Sequence, residues 1–258
     1  MKLMNLCVSL CIMFLLFSCA GKDENEKDKV PPINPTMIPH LGDTGDPPTV
    51  YMGQQVILSE ENNGIDTVPD ANWIRISWDP FKDSDLSHLK IFRYDNFNSE
   101  PVQIDSIAPS TLHYLDSDAN LNERVWYSYY IDLVDTSGNV ARSDTVSYAI
   151  LSKCVLLEPQ DNASIPSHPV TGADFFWNRS GSASKYRLIL FSENYDYFWH
   201  QDLIVSIEED PLTIRIPVNL LEDYSGQTLR WRIDAFDWDE EMQMYMGSES
   251  PERIIHVQ

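Results

Sequence analysis

Beyond residue 48 the chain alternates apolar and polar residues over short runs broken by turn-forming residues. The run "YSYYIDLVD" (127–135) shows the pattern best. Tyr127, Tyr129, Ile131 and Leu133 share one face, while Ser128 and Asp132 share the other. Period-two segregation of this kind marks a strand with one buried and one wet face. Helical spacing is nearly absent. The one helix-like piece, "VNLLEDYSGQ" (218–227), is short and predicts a turn.

The pattern also repeats. "WIRISWDPF" (73–81) is followed by "SHLKIFRYD" and "VWYSYYIDLVDTSGNV", and "ADFFWNRSG" (173–181) by "SKYRLILFS" and "TLRWRIDAFDWDEEM". Trp78 and Trp177 stand 99 residues apart, and Asp135 and Asp237 stand 102 apart. A period of about 100 residues is the size of one β-sandwich. The first copy resembles fibronectin type III domains. Trp78 takes the place of the core tryptophan on strand B, Tyr127 to Asp135 that of strand F, and Asp135-Thr136-Ser137-Gly138-Asn139 that of the turn after it. The second copy departs at "DWDEEM", which lacks the Gly-Asn and implies a differently shaped F–G loop. The resemblance implies an all-β chain with two tandem fibronectin type III/immunoglobulin-like β-sandwiches, over residues 49–151 and 152–258.

The N-terminus is organised differently. Lys2 precedes a 12-residue, mostly apolar run from Leu6 to Phe17, too short to span a bilayer comfortably. "LFSC" (16–19) resembles the bacterial lipoprotein lipobox, with Leu16 three residues before the cysteine and the small Ser18 just before it. That resemblance implies a signal peptide over 1–18 and lipidation of Cys19. Stable anchoring takes more than one acyl chain, which multiple acylation of that residue would supply. From Ala20 to Pro48 there is no aromatic residue, and prolines recur at 31, 32, 35, 39, 47 and 48. Such a composition predicts an extended, flexible tether over 19–48. Lys22-Asp23-Glu24 resembles the lysine-acidic export signal of surface lipoproteins in some diderm bacteria, which implies outer-membrane surface display.

Charge narrows the partners. Forty acidic residues against 18 basic give a net charge of -22, which argues against nucleic-acid binding. The four cysteines are Cys7, Cys11, Cys19 and Cys154. Once the leader is removed and Cys19 modified, Cys154 stands alone, so no intrachain disulfide framework is expected. "KCVLLEP" places Cys154 in a strand-like apolar run, where it reads as buried and inert.

Candidate chemistry is sparse. The six histidines have no metal-ligand spacing, and no nucleophile elbow, HExxH or phosphate-binding glycine loop appears. "DSDANLNE" begins like a calcium loop at Asp116, Asp118 and Asn120. Leu121 stands where that loop needs glycine and Tyr127 where it needs glutamate, so a turn is expected. Asp79, Asp83 and Asp85 read as turn-formers, and Asp237, Asp239, Glu240 and Glu241 as a solvated acidic loop. No metal, cofactor or catalytic residue is therefore assigned.

One stretch invites a ligand. In "SENYDYFWHQD" (192–202), alternation places Tyr195, Tyr197 and Trp199 on one face of an edge strand, with Phe198 and His200 on the other. Exposed aromatic rings beside polar groups suit stacking on sugar faces. Met242, Met244, Tyr245 and Met246 mark a second adaptable surface, suited to a protein partner. The expected function is non-catalytic: a lipid-anchored cell-envelope protein presenting two modules as an interaction or spacer surface. The alternative is a glycan-binding component of a polysaccharide-uptake system.

Overall fold

The structure, a computed structural model, describes residues 28–39, 41–51, 53–56, 71–205 and 210–258. The described residues contain strands, turns and one 3-10 turn at Glu222–Tyr224, inside the segment expected to turn.

The first sandwich holds β1 (Met37–Ile38), β4 (Ile74–Trp78), β5 (Leu86–Asp95), β6 (Val102–Ile107), β7 (His113–Asp116), β8 (Tyr127–Asp135), β9 (Val140–Arg142) and β10 (Val146–Tyr148). A small hairpin, β2 (Thr49–Tyr51) with β3 (Gln54–Val56), lies in the connection between β1 and β4. One sheet has the order β1-β4-β7 and the other β10-β8-β5-β6, with β9 also on β8. Named by fibronectin type III convention, these are A-B-E and G-F-C-C′, a sandwich read directly from strand pairing. Trp78, Ile91, Tyr129, Ile131 and Leu133 fill its core. The Tyr127 hydroxyl accepts from the Asn122 amide at 2.8 Å and pins the corner before strand F. That is the tyrosine corner of this architecture.

The second sandwich repeats the plan with β11 (Val155–Glu158), β12 (Ala163–Ile165), β13 (Ala173–Asn178), β14 (Lys185–Ser192), β15 (Tyr197–Ile204), β16 (Leu212–Ile216), β17 (Thr228–Asp239), β18 (Met244–Glu249) and β19 (Arg253–Val257). Its sheets run β11-β13-β16 and β12-β19-β17-β14-β15, with β18 also on β17. The echo holds at the level of register: Lys90 faces Asp132, and Arg187 faces Asp234. Trp177 and Trp231 are fully buried, as are Trp78 and Tyr129. A further correspondence is invisible in the alternation. Strand G breaks at a serine in both copies, where Ser143 Oγ accepts from the Ile131 amide and Ser250 Oγ from the Ile233 amide. Each hydroxyl fills the ladder bond that the break would leave open.

The N-terminal boundary differs from the expectation of a tether up to residue 48. Met37 and Ile38 are strand A, paired with Trp78 and Ser77. Pro32, Pro35, Asp43 and Thr44 are buried. Apolar burial at Met37 and ion pairing at Asp43 and Asp46 hold this proline-rich stretch against the sandwiches. Cys19 and the signal region lie outside the described residues.

Candidate functional site

Two places bring together chemistry that the strand pattern alone does not require. Both lie on the second module.

The first is the outer face of its larger sheet. Register places Asp202, Arg187, Asp234 and Glu249 in one row across β15, β14, β17 and β18. Arg187 donates to both oxygens of Asp202, at 2.6 and 3.0 Å. Arg232 donates to both oxygens of Asp234, at 2.8 and 3.1 Å, and lies 2.7 Å from Glu249. In the equivalent row of the first module, Lys90, Asp132 and Arg142, Arg142 stands at the place of Glu249, pairs with Asp132 and stays largely exposed. In the second module Arg187 is only 3% exposed and Arg232 is fully buried.

The cover is the A–B connection of the first module. Arg187 donates to the Thr44 carbonyl at 2.9 Å and pairs with Asp46 at 2.8 Å. Asp43 lies 3.4 Å from the same guanidinium, close enough for an ion contact yet without hydrogen-bond geometry, so its Oδ2 is buried without a hydrogen bond. Burial, and next the charge of Asp234, push the Asp43 carboxyl well above the usual range. Burial acts the same way on Asp202, but its hydrogen bonds to Arg187 and Lys185 win and hold it below that range. Gly45, at a φ of +87°, sits over His200 and Tyr197, where a methyl group would collide with the imidazole and the phenol. Burial and the nearby Arg187 charge hold the His200 ring below its ordinary pKa.

The aromatic platform expected over 195–199 is divided. A bulge opposite Leu190 and Phe191 shifts the phase of β15, so Tyr197 pairs with Phe191 and Trp199 with Leu190. Trp199 and Phe198 both pack on the core, and Phe198 stacks on Tyr224 at 4.2 Å. Tyr197 joins His200 on the outer face, with its hydroxyl 2.6 Å from Nδ1. Tyr195 lies under the Arg230 guanidinium at 4.7 Å. Tyr195 and Tyr197 remain 44% and 38% exposed.

The second place is the F–G hairpin formed by β17 and β18. Of its acidic residues, Glu240 and Glu241 lie exposed in the turn as expected, but the two aspartates are held by partners. Asp237 pairs with Arg124 at 2.7 Å and accepts from Ser184 Oγ, and Asp239 accepts from Trp126 Nε1 at 2.7 Å. The Trp126 hydrogen bond, chiefly, holds the Asp239 carboxyl below its ordinary range. Trp126 belongs to the first module by sequence but packs in the core cluster of the second. The Gly247 backbone bonds to Ala149 and Leu151, tying the hairpin to the inter-module segment. Trp238 and Tyr245 face each other across the hairpin, edge to face at 4.8 Å, and both are partly exposed.

Other expected sites resolve into structural roles. Asp116 and Asp118 pair with Arg93 at 2.7 and 2.8 Å, so the calcium-like sequence is an ion-paired turn. Asp28, Asp85 and Asp135 bring carboxylate oxygens within 4.8 Å of one another at the B–C and F–G end of the first module. Asp135 already accepts from the Ser137 and Asn139 amides and the Asn139 side chain. A shallow cavity of about 470 Å³, lined by Pro80, Phe81, Leu86 and Leu112 among others, opens near that end. Cys154 is buried, and burial raises its thiol far above the ordinary range.

A scan against protein-family models finds no match, and neither does a comparison with curated proteins. Among solved structures, the crystal structure of chicken CNTN1 FN1-FN3 domains is similar at 12% identity and a TM-score of 0.30, over 72% of this chain and 60% of that one. Pectate lyase Pel3 from Pectobacterium carotovorum is similar at 18% identity and a TM-score of 0.27, over 39% of this chain and 30% of that one. This chain thus spans less than two thirds of either. At these scores neither likeness bears on function, and the fold description stands on strand order.

Proposed function

We propose that the protein is a non-catalytic, lipid-anchored cell-envelope protein that presents two fibronectin type III-like modules as an interaction or spacer surface. The supporting observation is the way the modules are joined. Trp126 enters the second core, and the F–G hairpin clasps the connecting segment. The described chain begins beside the F–G turn of the first module, where Asn139 donates to the carbonyls of Asp28 and Val30. Strand polarity puts that turn at the end opposite the connection to the second module. A chain anchored at Cys19 would therefore hold the second module away from the membrane. Metabolic labelling with an alkyne fatty acid in a diderm bacterial host tests the anchor. Label on the wild type and none on Cys19→Ala is expected; equal labelling of the two, or no label on either, refutes it.

The second reading is a glycan-binding component of an uptake system. What favours it is the partial exposure of Tyr195, Tyr197, Trp238 and Tyr245 on the second module. Trp199 no longer contributes to it, because it faces the core. A glycan array separates the readings. Binding lost in Trp238→Ala or Tyr197→Ala favours the sugar, and no binding by the wild type removes it.

A further inference from the structure

We propose that the outer face of the second module around Arg187 and Arg232 is a binding site for a carboxylate-bearing polypeptide turn, filled in cis by residues 42–46 and open to an acidic partner segment when this strap lifts. Three observations carry it. Lys90, which takes the place of Arg187 in the first module, keeps partial exposure, whereas Arg187 is 3% exposed beneath the strap, so the burial of this guanidinium is the work of the strap. The strap meets this face as a ligand would, through the Thr44 carbonyl on Arg187, the Asp46 carboxylate on Arg187, and Gly45 seated over Tyr197 and His200. It also makes its own turn, since the Asp46 amide donates to the Asp43 carbonyl and the Asp43 amide to the Asp46 carboxylate.

The strap is held against an internal cost, which is why it is suited to release. Lys185, Arg187 and Arg232 supply three positive charges to the face. Asp202, Asp234 and Glu249 already balance them, so Asp46 is in excess, and Asp43 is buried where its charged form is disfavoured. Asp43 Oδ2 and Thr44 Oγ1 are buried without a hydrogen bond, a state that water outside the site would relieve. Its contacts with Arg187 are reinforced by attachment at β1, which gives a short linked segment an effective concentration in the millimolar range. A partner segment with better-satisfied carboxylates would compete once it exceeded that advantage. Among chemistries with a carboxylate, a polypeptide turn fits best, because the contact uses a backbone carbonyl as well as carboxylates.

The test uses the full-length protein in detergent micelles and a synthetic peptide of residues 41–48, LGDTGDPP. Gly45→Val removes the strap by steric collision with His200 and Tyr197, and neither sandwich core contains Gly45. Asp43→Ala with Asp46→Ala removes it by a different route, should the valine perturb folding. By titration calorimetry the peptide should bind either variant saturably, bind the wild type at least about tenfold more weakly because the site is occupied, and fail to bind when Arg187→Met is added. Equal binding to wild type and variants, or no binding to either variant at millimolar peptide, overturns the proposal. Binding of a galacturonate oligomer without binding of the peptide overturns the assignment to a polypeptide.

Discussion

Replacing Trp126 with alanine should cost the protein more than any other single change between its two modules. The side chain is only 4% exposed and sits in the second module's core cluster, although its backbone belongs to the corner before β8. A tryptophan buries on the order of 200 Å². At about 25 cal/mol per Å² that is about 5 kcal/mol, an upper figure, because the unfolded chain already hides part of the area. Core Trp→Ala changes typically cost about 3–5 kcal/mol. The lost hydrogen bond adds little, since Asp239 lies at the surface and water can replace the indole. Urea denaturation followed by tryptophan fluorescence and by alkylation of Cys154 reads the effect. Cys154 is the only cysteine after residue 19 and is buried in the second module, so its labelling reports that module's opening. The wild type should unfold in one transition by both probes. Trp126→Ala should lose about 3–5 kcal/mol, and the two probes should separate. A loss under about 1 kcal/mol, within the range of ordinary surface substitutions and small repacking, with coincident probes would refute the interlocked core.

Other substitutions sample the remaining contacts. Arg232→Met removes a buried guanidinium that pairs with both Asp234 and Glu249 and should cost about 3–5 kcal/mol; a neutral result in urea melts would show that the face is hydrated. Tyr127→Phe leaves the Asn122 amide without its acceptor and should cost about 1 kcal/mol by the same melts. Asp239 is held below its ordinary pKa by Trp126, so its charged form stabilises the native state. That contribution is present above the unfolded pKa, near 4, and is lost as pH falls through the folded value. The gap in urea midpoint between wild type and Asp239→Asn should therefore be present at pH 7 and close toward pH 2; a constant gap would contradict the assigned role.

Much of the architecture is legible in the sequence because a sandwich strand advertises its buried face every second residue. Trp78 and Trp177, and Tyr129 and Trp231, stand where the alternation places them. The divided platform was not legible, because a one-residue bulge opposite Leu190 and Phe191 reverses the phase of β15 and leaves no mark in composition. Trp126 is not legible as an inter-module anchor because it lies outside the alternating run and its indole partner, Asp239, stands 113 positions away. The strap was hidden by its own chemistry. "GDTGD" (42–46) has the composition of a linker, yet its backbone carbonyl and two carboxylates are what Arg187 of β14 meets. That arginine sits at a wet-face position, where charge reads as solvation. The one available signal was a concentration of positive charge, Lys185, Arg187, Arg230 and Arg232, on neighbouring strands of a strongly acidic chain.

The central claim is that the two sandwiches, joined through Trp126 and the hairpin clasp, make one rigid body. Pulsed electron-spin distance measurement tests it most directly. Spin labels at Phe97→Cys and Val170→Cys, both on exposed positions of different modules, in residues 28–258 carrying Cys154→Ala, should give a single narrow distance distribution. A broad distribution, such as a hinged pair of independent modules produces, would contradict it.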